Sequence, residues 1–183
     1  RDAARARDDD RCRQCGARAE DGHRLDVHHL TPFRTFGYVS GENQHYLLAN
    51  RIETLITLCS SCHRRAERAR GERGALSGMA YLLRSLAPLY VMCAPGDLGS
   101  SVEQQARGSG LPTVTLYDRA PGGVGLSARL FDIGADLMAA ALDTVHRCPC
   151  DDGCPGCVGP VGEGEGKVKA LTERLLRSVL RQH

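Results

Sequence analysis

Eight of the nine cysteines fall into tight groups: Cys12 with Cys15, Cys59 with Cys62, and the run Cys148, Cys150, Cys154 and Cys157. The thiolate is the form of cysteine that ligates a metal, and a CxxC pair makes a knuckle with both sulfurs aimed at one point. Two knuckles complete a tetrahedron, so Cys12, Cys15, Cys59 and Cys62 read as one structural zinc site with Zn–S bonds of ~2.3 Å. Gly16, directly after the first pair, suits the tight turn. The last four thiols lie in 147-RCPCDDGCPGCVGP-160, where Pro149 and Pro155 stiffen the backbone and Gly153 and Gly156 permit the turns. That loop reads as a second zinc clip. An iron–sulfur cluster is the alternative, but C-x-C-x3-C-x2-C does not match the ferredoxin spacing. Disulfides are the lesser alternative in a chain with no secretion signal. Cys93, alone in the apolar run LYVMC, reads as a buried structural residue.

These clips compensate for a thin core. Only 4% of the 183 residues are aromatic and none is Trp, so metal-held modules are more plausible than one large core. The length suits one ordinary domain or two small ones, and the opening Arg1 reads as the start of a piece of something longer. The formal net charge of +2 counts thiols as neutral. With two filled tetrathiolate sites it becomes about −2, so nucleic-acid binding must rest on local patches. No apolar run reaches the ~18 residues of a membrane span, and the chain reads as cytoplasmic with no membrane partner.

The elements that would position the clips follow from periodicity. Residues 1–11 read as a frayed lead-in or the broken end of a preceding helix. Leu25 and Val27 alternate with polar neighbours as a strand that Pro32 ends, and LITL at 55–58 is a second strand. A helix runs from about Ser60 to Arg70; Gly71 and Gly74 then punctuate the chain, dividing a module over 1–74 from one over 75–183. In the second, a helix carries Leu76, Met79, Ala80, Leu83 and Leu86 and stops at Pro88. The run 89-LYVMC-93 reads as a buried strand, 94–112 as a polar connection with a short helix near Val102, and 113-TVTLY-117 as another strand. A long helix from Leu126 to His146 has the stripe Leu126, Leu130, Ile133, Leu137, Ala141 and Val145. After a glycine-rich linker at 158–166, a helix over 167–182 turns Val168, Leu171, Leu175 and Val179 to one face. The fold class is therefore α+β: a small metal-held module of two strands and a helix followed by an α/β module with a four-cysteine zinc loop.

Between the two knuckles lies 26-DVHHLTPF-33, and His63 follows Cys62 directly. CxxC, a His-His pair followed by Pro, and an LxxLC-xx-CH helix start appear in the order of the HNH endonuclease family, which residues 12 to about 67 resemble. The resemblance implies a ββα-metal fold, His29 as the general base that activates water, and His28 and His63 facing a divalent Mg²⁺ or Mn²⁺ ion. The chemistry is reasonable, since imidazole accepts a proton near neutral pH and a metal offsets phosphoryl charge. One departure is that the family's middle Asn falls at Thr54 in 53-ETLITLC-59, with Asn50 four residues early. The intact histidines favour a nuclease; Thr54 favours a module that only binds. The run Arg64, Arg65, Arg68, Arg70 and Arg73, partly compensated by Glu67 and Glu72, reads as a solvated helix face or as phosphate contacts. Phe33, Arg34, Phe36 and Tyr38 would stack on unpaired bases or, on the favoured reading, form the module's small core.

The pieces 86-LAPLYVMCAPGDLG-99, 115-TLYDRAPGGVGLS-127, 148-CPCDDGCPGCVGP-160 and the closing amphipathic helix resemble the C-terminal zinc-binding domain of MrfA-type DEAD/DEAH-box helicases. That resemblance implies a DNA-binding region beside a superfamily 2 motor in the same full-length chain. These 183 residues hold no GxxxxGK[ST] loop, so they are not expected to hydrolyse ATP. The APGGVG turn at 120–125 reads mainly as a strand–turn–helix connection and only weakly as an anion site.

Overall fold

The computed structural model describes residues 1–31, 33–160 and 167–181, without the side chain of Arg34. Pro32, residues 161–166 of the glycine-rich linker and Gln182, where the expected last helix would end, thus lie outside the described residues. The chain forms two compact units, Arg1–Arg70 and the described residues from Gly71 on.

In the first unit, strand β1 (Leu25–His29) pairs antiparallel with β2 (Leu55–Cys59), His29 opposite Leu55 and Leu25 opposite Cys59. Both strands lie where the alternation of Leu25 and Val27 and the run LITL placed them. Residues 1–11 are not a frayed lead-in. Helix α1 (Asp2–Arg7) docks on the free edge of β2. There Arg7 donates to the carbonyls of Ile52 and Leu55, buried Asp8 accepts the Thr57 N–H at 2.9 Å, and the Arg13 N–H reaches the Thr57 carbonyl. An open strand edge needs such cover, and charge-rich residues provide it. Between the strands, a 3-10 turn (Phe33–Phe36) and the one-turn helix α2 (Tyr46–Ala49) fill the irregular connection. Leu25, Leu58, Cys12, Cys59 and Cys62 form the small core. The aromatics do not belong to it. Phe33, Tyr38 and Tyr46 instead form a half-exposed edge-to-face chain that continues from the His29 ring.

Helix α3 spans Ser60–Val91 without a break. This corrects two expectations. Gly71 and Gly74 do not end a helix, and 89-LYVMC-93 is not a strand: Leu89 and Met92 are exposed while Val91 is buried at the helix end. Gly71 and a third glycine of this helix, Gly78, are packing devices. A Cβ on Gly78 would collide with Thr172 Oγ1 and stand 3.1 Å from Val158 Cβ, and one on Gly71 would stand 3.0 Å from Leu171 Cδ1. Each interior glycine costs about 1 kcal/mol of helix propensity; close approach of the last helix offsets it. Leu76, Met79, Leu83, Ala87 and Val91 continue one buried stripe through Pro88.

In the second unit, the stretch read as a polar connection supplies β3 (Leu98–Glu103), which pairs antiparallel with β4 (Thr113–Asp118). Gly99 makes the pairing possible, because a side chain there would strike the Tyr117 ring opposite. The expected long helix is two, α4 (Leu126–Asp132) and α5 (Gly134–Arg147), broken at Ile133. Its apolar stripe is as expected, and Leu126, Leu130, Leu137, Ala141 and Val145 are buried. Helix α6 (Val168–Leu180) buries Val168, Thr172 and Leu176 rather than Leu171 and Leu175, which are only partly covered. Cys93 is partly buried against the same core.

Candidate functional site

Cys12 and Cys15 sit on a knuckle closed by the Cys12 carbonyl accepting the Gly16 N–H at 2.8 Å, with Gly16 left-handed at φ 79°. Cys59 ends β2 and Cys62 lies in the first turn of α3. The four sulfurs lie within 4.8 Å of one another, and Cys15 and Cys59 are 3.7 Å apart. A tetrahedral zinc with ~2.3 Å bonds needs sulfurs about 3.8 Å apart, so the quartet fits one ion. Cys148, Cys150, Cys154 and Cys157 converge likewise, with separations of 3.4 Å to 3.7 Å. A multi-iron cluster would hold its sulfurs wider, and no cysteine is in a disulfide.

Crowding four thiols splits their acidities. Burial pushes Cys62 up to about 12 and does the same to Cys150, with the neighbouring thiols adding to it. Cys12 falls to about 6, because the N–H groups of Cys59, Cys15 and Gln14 outweigh its burial. Cys148 falls to about 7 under the Cys150 N–H and its neighbouring thiols. A divalent ion is what lets all four ionise together. Nearby cations assist: Arg65 Nη2 lies 3.4 Å from Cys62 Sγ, and Lys169 Nζ donates to the carbonyls of Cys148 and Cys150 at 2.6 Å each. The second clip thereby fastens the end of α5 to α6.

The paired histidines part company on β1, as successive strand residues must. His28 is buried and faces α3; its ring meets that of His63 edge to face with centroids 4.9 Å apart. His28 Nδ1 is 3.3 Å from Glu67 Oε1, and ligand atoms of His28, His63 and Glu67 lie within 4.8 Å of one another. Two imidazoles and a carboxylate are a donor set suited to a divalent ion. Burial, and then Arg70 beside it, holds His28 below its ordinary pKa, which favours the neutral imidazole. Sequence reasoning passed over Glu67, taking it as charge compensation. The signal was its helical i, i+4 spacing from His63.

His29 is half-buried and points instead to Asn50, its Nε2 standing 3.2 Å from Asn50 Oδ1. Thr54, at the family's Asn position, closes the loop: its Oγ1 lies 2.7 Å from the carbonyl oxygens of both Ala49 and Arg51, which share its one hydrogen, and its own carbonyl accepts the Leu30 N–H. In the arginine run, Arg64, Arg65, Arg68 and Arg73 are exposed, whereas Arg70 turns in on His28.

The APGGVG turn has its anion built in. Asp118 accepts the N–H groups of Val124, Gly125, Leu126 and Ser127 at 2.7–3.2 Å, at the start of α4. This carboxylate fills the nest that a phosphate would use, and the N–H of Val124, followed by those of Ser127 and Leu126, draws its pKa below the ordinary value.

Residues 12–68 match the family model described as HNH endonuclease, and residues 79–158 match that of the MrfA Zn-binding domain. Among curated proteins, the chain is 40% identical over 102 residues to the uncharacterized ATP-dependent helicase YprA of Bacillus subtilis, covering 56% of this chain and 13% of that protein. It is 25% identical over 95 residues to the ATP-dependent helicase HRQ1 of Saccharomyces cerevisiae, covering 46% of this chain and 9% of that one. A crystal structure of the DUF1998 helicase MrfA bound to DNA superposes with a TM-score of 0.55 and 37% identity, over 60% of this chain and 14% of that chain. The 183 residues thus span a small fraction of these relatives. No helix among the described residues is long and apolar enough to cross a membrane. In order along the chain, residues 12–68 are thus similar to an HNH-type module and residues 79–158 to a MrfA-type zinc-binding domain.

Proposed function

We propose that these residues are the C-terminal, DNA-engaging part of a MrfA-type helicase, built as two zinc-clipped modules over 1–74 and 75–183, with the motor elsewhere in the full-length chain. The 37% identity to a MrfA helicase captured on DNA, together with the match of residues 79–158, which hold a complete tetrathiolate clip, to the MrfA Zn-binding domain, carries this reading. DNA is the partner, met through the exposed Arg64, Arg65 and Arg68 of α3 rather than through net charge. Reduced, metal-ready thiolates suit a cytoplasmic setting. The test is binding of labelled single-stranded and forked DNA by the 183-residue chain. Binding that falls steeply with salt and is lost on zinc removal supports the reading. Failure of the zinc-loaded chain to bind either form overturns it.

A second reading is favoured by the convergence of His28, His63 and Glu67 beside His29. In it the first module cleaves phosphodiesters. His28, His63 and Glu67 would hold Mg²⁺ or Mn²⁺, which would offset charge on the phosphate. His29 would take the proton of the attacking water, and Asn50 would set its orientation. Nicking of supercoiled DNA in Mg²⁺ or Mn²⁺, lost in His29→Ala, supports it; no cutting under conditions where DNA is bound sinks it.

A further inference from the structure

Arg70 makes four polar contacts at the base of β1. Its Nη2 stands 3.1 Å from His28 Nε2, 3.1 Å from the His29 carbonyl oxygen and 3.4 Å from that of Leu30, and its Nη1 stands 3.3 Å from Glu67 Oε1. A guanidinium has donors only. His28 Nε2 therefore accepts, and the neutral imidazole carries its hydrogen on Nδ1, aimed at Glu67 Oε1 3.3 Å away. A cation held between His28 and Glu67 needs the lone pair of that same Nδ1. To free it, the hydrogen must move to Nε2, where it would meet the Arg70 donor head on at 3.1 Å. Arg70 in this position and a cation on Nδ1 exclude one another.

We infer that Arg70 is a positioning residue that keeps the cation off His28 until a DNA phosphate draws its guanidinium away. The inference rests on the cation-site reading above. A phosphate offers the bidentate, charged acceptor that guanidinium prefers over two carbonyls and an imidazole. The neighbouring exposed Arg64, Arg65 and Arg68 bring phosphates to the same helix. Phosphodiester and cation then bind with positive coupling, each raising the affinity of the other by one factor. The device leaves the site unarmed when no DNA is present.

The test is calorimetric titration of Mn²⁺ into the zinc-loaded 183-residue chain, its Arg70→Gln and Arg70→Lys variants, and the His29→Ala chain with and without a bound DNA duplex. The Gln amide oxygen can accept from Nε2–H, whereas Lys remains a donor. Arg70→Gln should bind Mn²⁺ about tenfold tighter, an ordinary size for such a coupling. Arg70→Lys should stay near the parent, and bound DNA should raise the affinity of the His29→Ala chain. Should Arg70→Gln lose its zinc and fold, imidazole ¹⁵N spectra of the parent decide. The His28 hydrogen should sit on Nδ1 without added cation and on Nε2 at saturating Mg²⁺. A hydrogen on Nε2 in the cation-free parent, or a folded Arg70→Gln that gains nothing, overturns the role of Arg70 even if the chain nicks DNA. A chain that never nicks DNA yet shows the gain and the tautomer switch retains the Arg70 role and loses the nuclease.

Discussion

His29 Nε2 lies 3.2 Å from Asn50 Oδ1, and Asn50 in turn donates from Nδ2 to the Tyr46 carbonyl at 2.8 Å. The second bond fixes which way the amide faces, so Oδ1 meets the imidazole and His29 must donate from Nε2. Its lone pair is then on Nδ1, the atom that would accept the water proton. In the proposed nuclease, Asn50→Ala should lower single-turnover nicking about 10- to 100-fold, the usual cost of losing a partner that orients a working imidazole, and leave DNA affinity unchanged. Equal rates in parent and variant would remove Asn50 from the site.

Asn50 also shows where sequence reading stops. Aligning on LxxLC puts Thr54 at the Asn position, and a linear pattern cannot reveal that α2 and a 3-10 turn (Ile52–Thr54) bring an asparagine from four residues earlier against His29. The zinc quartets were legible because short-range cysteine spacing fixes knuckle geometry with little help from the rest of the fold. The β1–β2 pair was legible because its strands carry β-branched or alternating residues. Helix α3 was not, because glycine is written the same way whether it breaks a helix or admits a neighbour. Its continuation was present in the i+4 steps from Leu83 to Ala87 to Val91, all buried. The run of apolar, β-prone residues at 89–93 obscured that stripe. Strand β3 was illegible for the opposite reason: Gly99, Ser100 and Ser101 have poor strand propensity, and pairing with β4 overrides it.

Glu67 separates the cation site from the zinc clips. It contributes a carboxylate to the His28 and His63 group and touches neither cysteine quartet. Glu67→Ala should weaken Mn²⁺ binding roughly tenfold or more, as loss of one of three ligands implies. Metal analysis should still return two zincs per chain, since both quartets stay whole. Unchanged Mn²⁺ affinity would show that the cluster holds no cation.

Gly78 and Gly71 should respond differently to alanine. Both substitutions gain about 1 kcal/mol of helix propensity. At Gly78 the new methyl meets Thr172 Oγ1 and the branched Cβ of Val158, and overpacking of this kind costs about 1–3 kcal/mol. At Gly71 it meets only the end of the Leu171 side chain at 3.0 Å, which can rotate aside. Thermal unfolding of the zinc-loaded chain should show Gly78→Ala less stable than the parent and Gly71→Ala more stable, by up to about 1 kcal/mol. The reverse order would mean that α6 does not pack on Gly78.

Lys169 holds the second clip from outside the coordination sphere, through the carbonyls of Cys148 and Cys150 at 2.6 Å each. Its charge also offsets part of the net −2 of a zinc tetrathiolate. Lys169→Met keeps the length and loses both effects. Zinc release to a chelator should become about tenfold faster at one of the two sites, the lower end of what such outer partners contribute. The other site should keep the parent rate, which serves as the internal control. Uniform release from both sites would count against the clamp.

Asp8 ties α1 to β2 from a buried position, and its pKa falls to about 2, mainly through the hydrogen bond from Arg7 and further through Thr57, against the cost of burial. An unfolded Asp titrates near ~3.9. A depressed folded value means the contribution is complete above the unfolded pKa and is lost as pH falls from about 4 toward 2. Asp8→Asn keeps an acceptor for the Thr57 N–H and removes the charge, so it should cost about 1–2 kcal/mol at pH 7, the difference between a charged and a neutral hydrogen-bond partner. Urea unfolding of parent and variant should show a gap that is constant from pH 8 down to about 5, well above the titration window. A gap that closes within that range would mean another group, not Asp8, carries the anchoring charge.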